Sequence, residues 1–329
     1  MDEPRTAPTL PSILEEALAQ RFDADAAARI RAGLAAACER PVTLRANTLR
    51  ATRDEVAEAL SQAGISWETV PWYAVAFVLT NVRERAVWDL SIYQEGKVYL
   101  QSLSSMLPPL ALGPRDGADI LDMCAAPGGK TTELAALAPA AHLTACEMNA
   151  PRAEKLAYNL EKLGVRGANV MRVDARQLDE FFSFDQILLD APCTGTGTLR
   201  VGDERAAARV TPKLLAKVTR SQRSLLDRAL TVLKPGGELV YSTCSVLPQE
   251  NEEQVEAALK RHRDCSIVPL AGALPEDAPT RPATVEALAR AAEDGALPLL
   301  PNGLPGTLTI CPTRDYEGFY LAKIKKAAR

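Results

Sequence analysis

Hydrophobic and polar positions along this chain follow two different patterns, and the change between them divides it. In the first third, Ser12-Ile13-Leu14-Glu15 and Thr52-Arg53-Asp54-Glu55 share the Ser/Thr-x-x-Glu spacing of a capping box. There, hydroxyl and carboxylate satisfy each other's free backbone donors at a helix start. The two boxes predict helices from Ser12 to about Cys38 and from Thr52 to Ala63. Between them, Pro41–Arg50 reads as a strand with turn chemistry at Asn47. Ile65–Thr80 and Ala86–Leu100 read as short β-rich segments, the first opening with strict alternation from Ile65 to Val70. Pro108, Pro109 and Pro114 mark the exit. The expected organisation is a small N-terminal α+β unit over residues 1–110 and a second domain over 111–329.

From Asp119 strands alternate with helices, the pattern of a parallel sheet covered on both faces. Strands are expected at Asp119–Cys124, His142–Glu147, Ala168–Val173, Phe184–Asp190 and Glu238–Thr243. Helices are expected at Gly129–Leu137, Pro151–Leu163, Thr211–Leu233 and Asn251–His262. Thr211 before Pro212 is an N-cap followed by proline at the first helical position, and Pro235-Gly236-Gly237 is expected to stop that helix. Pro269–Pro312 reads as a proline-rich loop or lid with one helix at Pro282–Asp294, and Thr307–Cys311 with Gly318–Lys325 as an antiparallel pair at one sheet edge. The fold class is therefore α/β, with a Rossmann-like sheet.

Composition narrows the function. The 329 residues are 47% hydrophobic and 24% charged, which supports a packed core and excludes disorder for most of the chain. No stretch approaches the roughly 20 apolar residues a bilayer span needs. Met1–Pro11, with early acids and prolines, does not read as a secretory leader. The 7 cysteines are scattered without a CxxC pair, so reduced thiols in the cytoplasm are expected over disulfides or a zinc site. With 2 histidines, neither a histidine metal centre nor a Ser-His triad is expected. Because the net charge is −4, an RNA partner would have to be recruited by a local basic patch.

Candidate chemistry sits at the strand ends. After the first strand of the second domain comes Cys124-Ala125-Ala126-Pro127-Gly128-Gly129-Lys130, a glycine-bearing turn into a helix. Such a turn presents backbone N–H groups and a helix dipole to a carboxylate or phosphate. A Walker loop would need glycine where Cys124 stands, and the dinucleotide GxGxxG spacing is absent. An ordinary glycine-rich turn is the plain alternative. Glu147 ends the next strand, where an acid can accept from ribose hydroxyls, and Asp174 follows the third, placed for an adenine amino group. Either alone could be a solvated surface acid. Together they suggest an adenosine pocket, and S-adenosyl-L-methionine fits it better than a triphosphate. The fourth strand then runs into Asp190-Ala191-Pro192-Cys193 and the fifth into Thr243-Cys244-Ser245, which brings two thiols to the same face.

With these segments in hand, DMCAAPGGKT, LLDAPCTGTG, KPGGELVYSTCSVLPQENEEQV and the closing Gly318-Phe319-Tyr320, the chain resembles the Nop/Sun RNA (cytosine-5)-methyltransferases, most closely the bacterial RsmB and RsmF type, over roughly Arg40 to Lys325. The resemblance implies a class I S-adenosylmethionine-dependent methyltransferase sheet with a small N-terminal RNA-recognition-like domain. It implies Cys244 as nucleophile and Cys193 as the residue assisting product release, with Asp190 against the cytosine or the cofactor and Lys130 shaping the cofactor loop. Cytosine C5 is a weak nucleophile, so a thiolate that first adds to C6 turns the ring into an enamine able to attack a methyl group. Ribosomal RNA is the expected substrate ahead of tRNA, without metal or membrane, the oligomeric state being open. The resemblance does not include the C-terminal extension of the RsmF type or the N-terminal helical domain of the RsmB type, so it does not choose the target cytosine.

Between Thr198 and Lys234 nine basic side chains stand against three acidic ones. Arg209, Lys213, Lys217 and Arg220 are spaced to share one helix face, a candidate phosphate grip or simply a solvated face. The N-terminal unit, including Arg45, Asn47 and Arg50, resembles the family's small RNA-recognition-like domain, and because its local charge is weakly acidic, RNA affinity there would depend on shape and a few arginines. Two rival functions remain at this level. Amino-directed methylation would use an Asn/Asp-Pro-Pro-Tyr-like loop in place of Asp190-Ala191-Pro192-Cys193. A non-catalytic RNA-binding assembly factor would have no use for both thiols.

Overall fold

The computed structural model describes residues 10–272 and 280–328. The reading of Met1–Pro11 as leaderless lies almost wholly outside the described residues, as do positions 273–279 of the proline-rich segment.

Two sheets organise the chain. Strands β1 (Val42–Ala46), β2 (Ser66–Val70), β3 (Tyr73–Thr80) and β4 (Val98–Leu100) form a small antiparallel sheet in the order β2-β3-β1-β4. The large sheet holds β5 (Asp119–Asp122), β6 (His142–Cys146), β7 (Asn169–Met171), β8 (Phe184–Asp190) and β9 (Leu233–Thr243), all parallel. It continues with β10 (Cys265–Ile267), β11 (Leu299–Leu300), β12 (Leu308–Ile310) and β13 (Phe319–Lys326). The order is β11-β12-β13-β9-β8-β5-β6-β7, with β10 also on β13. This is the Rossmann-like α/β sheet with a small α+β unit that the sequence indicates. The order reverses at β5, which is flanked by β6 and β8, and a crevice opens at the carboxyl ends there.

Parallel strands buried on both faces feed two cores at period two. Ile120, Leu188, Val240 and Leu321 pack with Met106, Leu107 and Leu110 of the helix Leu103–Leu112. Their neighbours Leu121, Ile187, Leu189 and Leu239 pack with Leu225, Leu226 and Ala229 of the helix Pro212–Val232. Each fully buried leucine contributes about 2 kcal/mol of transfer free energy. Both strand ends that carry cysteines are therefore anchored in packed layers.

Several expectations are corrected. The Thr52 capping box forms, with Glu55 N donating to Thr52 Oγ1 at 3.2 Å and Thr52 N to Glu55 Oε2 at 2.7 Å. The Ser12 box does not. Pro11 occupies the N-cap, and Glu15 pairs instead with Arg31 on the following helix. The single helix expected to Cys38 is two, Ser12–Gln20 and Ala24–Ala36, because Asp23 accepts from Ala26 N at 2.7 Å and caps a new start. Within Ala86–Leu100 only β4 is a strand. Glu84–Trp88 and Ser91–Gln94 are helical turns that bury Val87 and Ile92 in the core of the small sheet.

Pro108 and Pro109 lie inside the buried helix Leu103–Leu112. The missing N–H of Pro109 frees the Ser105 carbonyl, and Gln101 Nε2 donates to it at 3.0 Å. Pro235-Gly236-Gly237 falls within β9, where a register irregularity opposite Phe184 and Gln186 absorbs it. The closing pair β12–β13 is antiparallel, but β13 is interior to the sheet, between β9 and β12.

Candidate active site

The turn from β5 is built to approach a ligand closely. Gly128, at φ +108°, turns the chain into the helix Gly129–Leu137, a backbone geometry an L side chain resists. The loop is held from behind, where Arg152 Nη2 donates to Ala126 O at 2.9 Å and Asn159 Nδ2 to Pro127 O at 2.7 Å. Asp122 ends β5 fully buried and accepts from Thr131 Oγ1 at 2.7 Å. Burial pushes its carboxyl up to about 6 against the pull of that bond and of Lys130. Its Oδ1 has no hydrogen-bond partner among the described residues.

Lys130 reaches back from the helix to Asp190 Oδ2 and Ser105 Oγ, both at 2.8 Å. Burial pulls its ammonium value down, but the charge and hydrogen bond of Asp190 outweigh burial and raise it, so Lys130 stays charged. Asp190, at the end of β8, also accepts from Ser242 Oγ at 2.8 Å. Beyond it, Cys193 and Cys244 stand with their sulfurs 3.2 Å apart, both half-buried and free. The hydrogen bond with Cys244 and then burial raise the Cys193 thiol well above its ordinary value, so Cys193 is held as a proton-bearing thiol. The loops meet because Gly197 N donates to Cys244 O at 3.0 Å and Gly318 N to Gly197 O at 2.8 Å. A Cβ on Gly197 would stand 2.0 Å from Gly318 O.

Two cavities share this centre. One, of about 280 Å³, is lined by Cys124, Ala126, Glu147, Met148, Asp174, Asp190, Cys193 and Cys244 among others. The other, of about 650 Å³, lies between the small sheet and the strand ends. Its walls include Arg40, Tyr99, Cys124, Ala125, Pro127, Gly129, Lys130, Asp190, Arg200, Cys244 and Phe319. Every site residue expected from sequence lines one cavity or the other except Gly128, whose open side faces Leu156.

Particulars differ from the expectation. Asp174 reaches the cavity wall, but Arg176 forks onto both of its oxygens at 2.6 to 3.1 Å. Glu147 is nearly buried, accepts from Asn149 N at 2.8 Å and lies 3.4 Å from Arg152. Arg45 and Asn47 are buried and point inward to the large sheet's helices, while Arg50 stays exposed. Arg45 is fully buried and donates to Thr132 Oγ1 at 3.1 Å. Asn47 donates to Leu163 O at 2.7 Å, and Arg50 to Glu161 O at 3.2 Å. Of the basic stripe, Lys213, Lys217 and Arg220 are exposed on one helix, while Arg209 ends a separate short helix.

Sequence reasoning did not single out Ser105, Ser242 or the fully buried Glu250. The only signal for Glu250 was its place just after the second cysteine segment. The donor set fits S-adenosylmethionine: an orphaned buried acceptor at Asp122, free backbone at a helix start, and a carboxylate at Glu147 beside apolar Met148 and Val173. Among the described residues no group of three or more His, Cys, Asp or Glu is arranged to hold a metal ion, and no helix is long and apolar enough to cross a membrane.

A family model described as 16S rRNA methyltransferase RsmB/F matches residues 109–325, and a ferredoxin-like domain model of RsmF/B-like methyltransferases matches residues 10–84. Ribosomal RNA small subunit methyltransferase B of Serratia proteamaculans is 38% identical over 69% of this chain and 53% of its own length. Ribosomal RNA small subunit methyltransferase F of Shewanella denitrificans is 34% identical over 89% of this chain and 56% of its own. The chain thus spans little more than half the length of these curated relatives. A crystal structure of a methyltransferase homolog protein from Pyrococcus horikoshii superposes with a TM-score of 0.72 at 31% identity, covering 97% of this chain and all of that one.

Proposed function

The chain belongs to the RsmB/F family of 16S rRNA methyltransferases, and on that premise we propose that it is an S-adenosylmethionine-dependent RNA cytosine-C5 methyltransferase of ribosomal RNA, acting in the cytoplasm through a covalent Cys244–C6 adduct. The observation that carries this reading is the pair of thiols 3.2 Å apart where two cavities meet. Neither amino-directed methylation nor a binding-only role needs that pair.

The bound cofactor supplies an electrophilic methyl group. The chain does the rest. In this reading the 280 Å³ cavity takes the cofactor, with Glu147 at the ribose and the turn Cys124–Lys130 at the amino-acid end. The 650 Å³ cleft takes a cytosine extruded from its strand. Asp190, fixed by Lys130 and Ser242, borders both and holds the ring edge. Cys244 adds to C6, which makes C5 nucleophilic. After methylation the C5 proton is lost to solvent, its electron pair re-forms the C5–C6 double bond, and Cys244 leaves C6 as a thiolate. Cys193 assists this release by donating its thiol proton's hydrogen bond to the departing sulfur. The exposed Lys213, Lys217 and Arg220, with Arg200 at the cleft, supply phosphate contacts.

Bisulfite sequencing of RNA from cells with and without the gene tests the reading, repeated with Cys244→Ala. Loss of one protected cytosine in small-subunit rRNA in both backgrounds is expected. Protection that survives Cys244→Ala would overturn the nucleophile assignment.

A further inference from the structure

Glu250 is a fully buried carboxylate that lines neither cavity. It sits in the helical turn Pro248–Glu250, just after the Cys244 segment, yet its side chain reaches the loop that carries Cys193. Oε1 accepts from Thr194 N at 2.8 Å and from Gln222 Nε2 at 3.2 Å, while Oε2 accepts from Thr194 Oγ1 and Ser245 Oγ, both at 2.5 Å. No lysine or arginine within ion-pairing distance accompanies it among the described residues, so four hydrogen bonds alone compensate its burial. Two of those donors belong to the residue next to Cys193, one to the residue next to Cys244, and one to the helix Pro212–Val232.

The remaining ties between the two loops begin after Gly195, with Thr196 Oγ1 against Ser245 Oγ at 2.9 Å and Gly197 N on Cys244 O. Before it, Ala191 N is bonded to Ser242 O at 2.8 Å. Across Pro192–Thr194, apart from the Cys193–Cys244 thiol contact itself, the side chains among the described residues that bond the loop are Gln222, which donates to Pro192 O at 3.0 Å, and Glu250. We propose that Glu250 is a positioning residue that fixes the Cys193 thiol against Cys244 by clamping Thr194 to Ser245. The inference rests on the release role assigned to Cys193 above and adds the group that sets its geometry. A glutamine at this position removes the charge and presents an NH₂ to Thr194 Oγ1 and Ser245 Oγ, so both hydroxyls must turn from donors to acceptors and the clamp weakens. The negative charge beside Cys193 also favours its protonated form, the state that hydrogen-bonds a departing sulfur.

The test uses the full chain with S-adenosylmethionine and a 16S rRNA transcript, with covalent protein–RNA complex read on denaturing gels. Cys193→Ala is expected to accumulate the complex. Glu250→Gln is expected to do the same, because misplacing a group that assists proton transfer slows release by about 10²-fold. Thr194→Ala, which deletes only the Oγ1 bond, is the milder second variant if Glu250→Gln folds poorly, and its complex should exceed wild type. Cofactor affinity by calorimetry should stay at the wild-type value in both, since Glu250 and Thr194 lie outside the cavity walls. Accumulation in Cys193→Ala with wild-type turnover in Glu250→Gln and Thr194→Ala overturns the inference while leaving the release role standing. Methylation without accumulation in Cys193→Ala overturns the release role and this inference with it.

Discussion

The two cavities that meet at Asp190 are made in different ways. The 280 Å³ cavity is lined by the residues that end successive parallel strands, so each wall is a short run of sequence: Cys124 and Ala126 after β5, Glu147 after β6, Asp174 after β7, Cys193 after β8. The 650 Å³ cleft is assembled from Arg40, Tyr99 and Ser105 on one side and Lys130, Arg200 and Phe319 on the other, segments that meet only when the small sheet docks. The first is a property of strand order; the second depends on tertiary contacts such as the buried Arg45–Glu133 pair. The reacting groups in this reading sit on the local side, while the group that admits RNA is made by docking.

Asp190 borders both cavities, so changing it should blur the distinction most. Asp190→Asn keeps the size and the Ser242 contact but removes the charge that Lys130 faces at 2.8 Å. We expect kcat/KM to fall by about 10²–10³, the scale of one lost preorganised electrostatic contact at a reacting centre. Steady-state methyl transfer to rRNA measures it.

A smaller effect isolates the docking side. Glu133 is fully buried beside Gln101 and Arg45, and burial pushes its carboxyl from 4.5 up to about 7. Its folded value lies above its unfolded one, so the native state binds the proton more tightly. Stability is therefore greatest below about pH 4.5, falls as pH rises towards 7, and is level above that. A shift of this size corresponds to roughly 3 kcal/mol. Glu133→Gln should flatten this segment of the profile, read by urea unfolding at pH 5 and pH 8. An unchanged slope would remove Glu133 from the account. Asp122, pushed up to about 6, should leave a residual slope of the same sign.

The mildest change touches neither cavity. The double variant Lys213→Gln, Lys217→Gln should weaken RNA binding and lower the salt slope of log K by about 1.4, at roughly 0.7 per single-strand phosphate contact. Cofactor affinity should not move. An unaltered slope would make the stripe a solvated face.

The same contrast explains what was legible in the sequence. The five parallel strands, the helix after Gly128 and the thiols at adjacent strand ends follow from period and punctuation, because each is fixed within about ten residues. The Ser12 capping box does not form because Glu15 meets Arg31 on another helix, and Pro108 and Pro109 sit inside a helix because the Gln101 amide takes the carbonyl that Pro109 leaves free. Arg45 looked like an RNA contact, yet it is a buried tie to Thr132 and Glu133. Long-range partners decided all three, and no local pattern encodes them.

The account's central claim is that Cys244 carries the nucleotide while Cys193 releases it. Mass spectrometry of the protease-digested complex formed by Cys193→Ala with S-adenosylmethionine and a 16S rRNA transcript tests it most directly. The account predicts a methylated cytidine on the peptide containing Cys244. A nucleotide on any other residue, or continued methylation with no covalent complex, would contradict it.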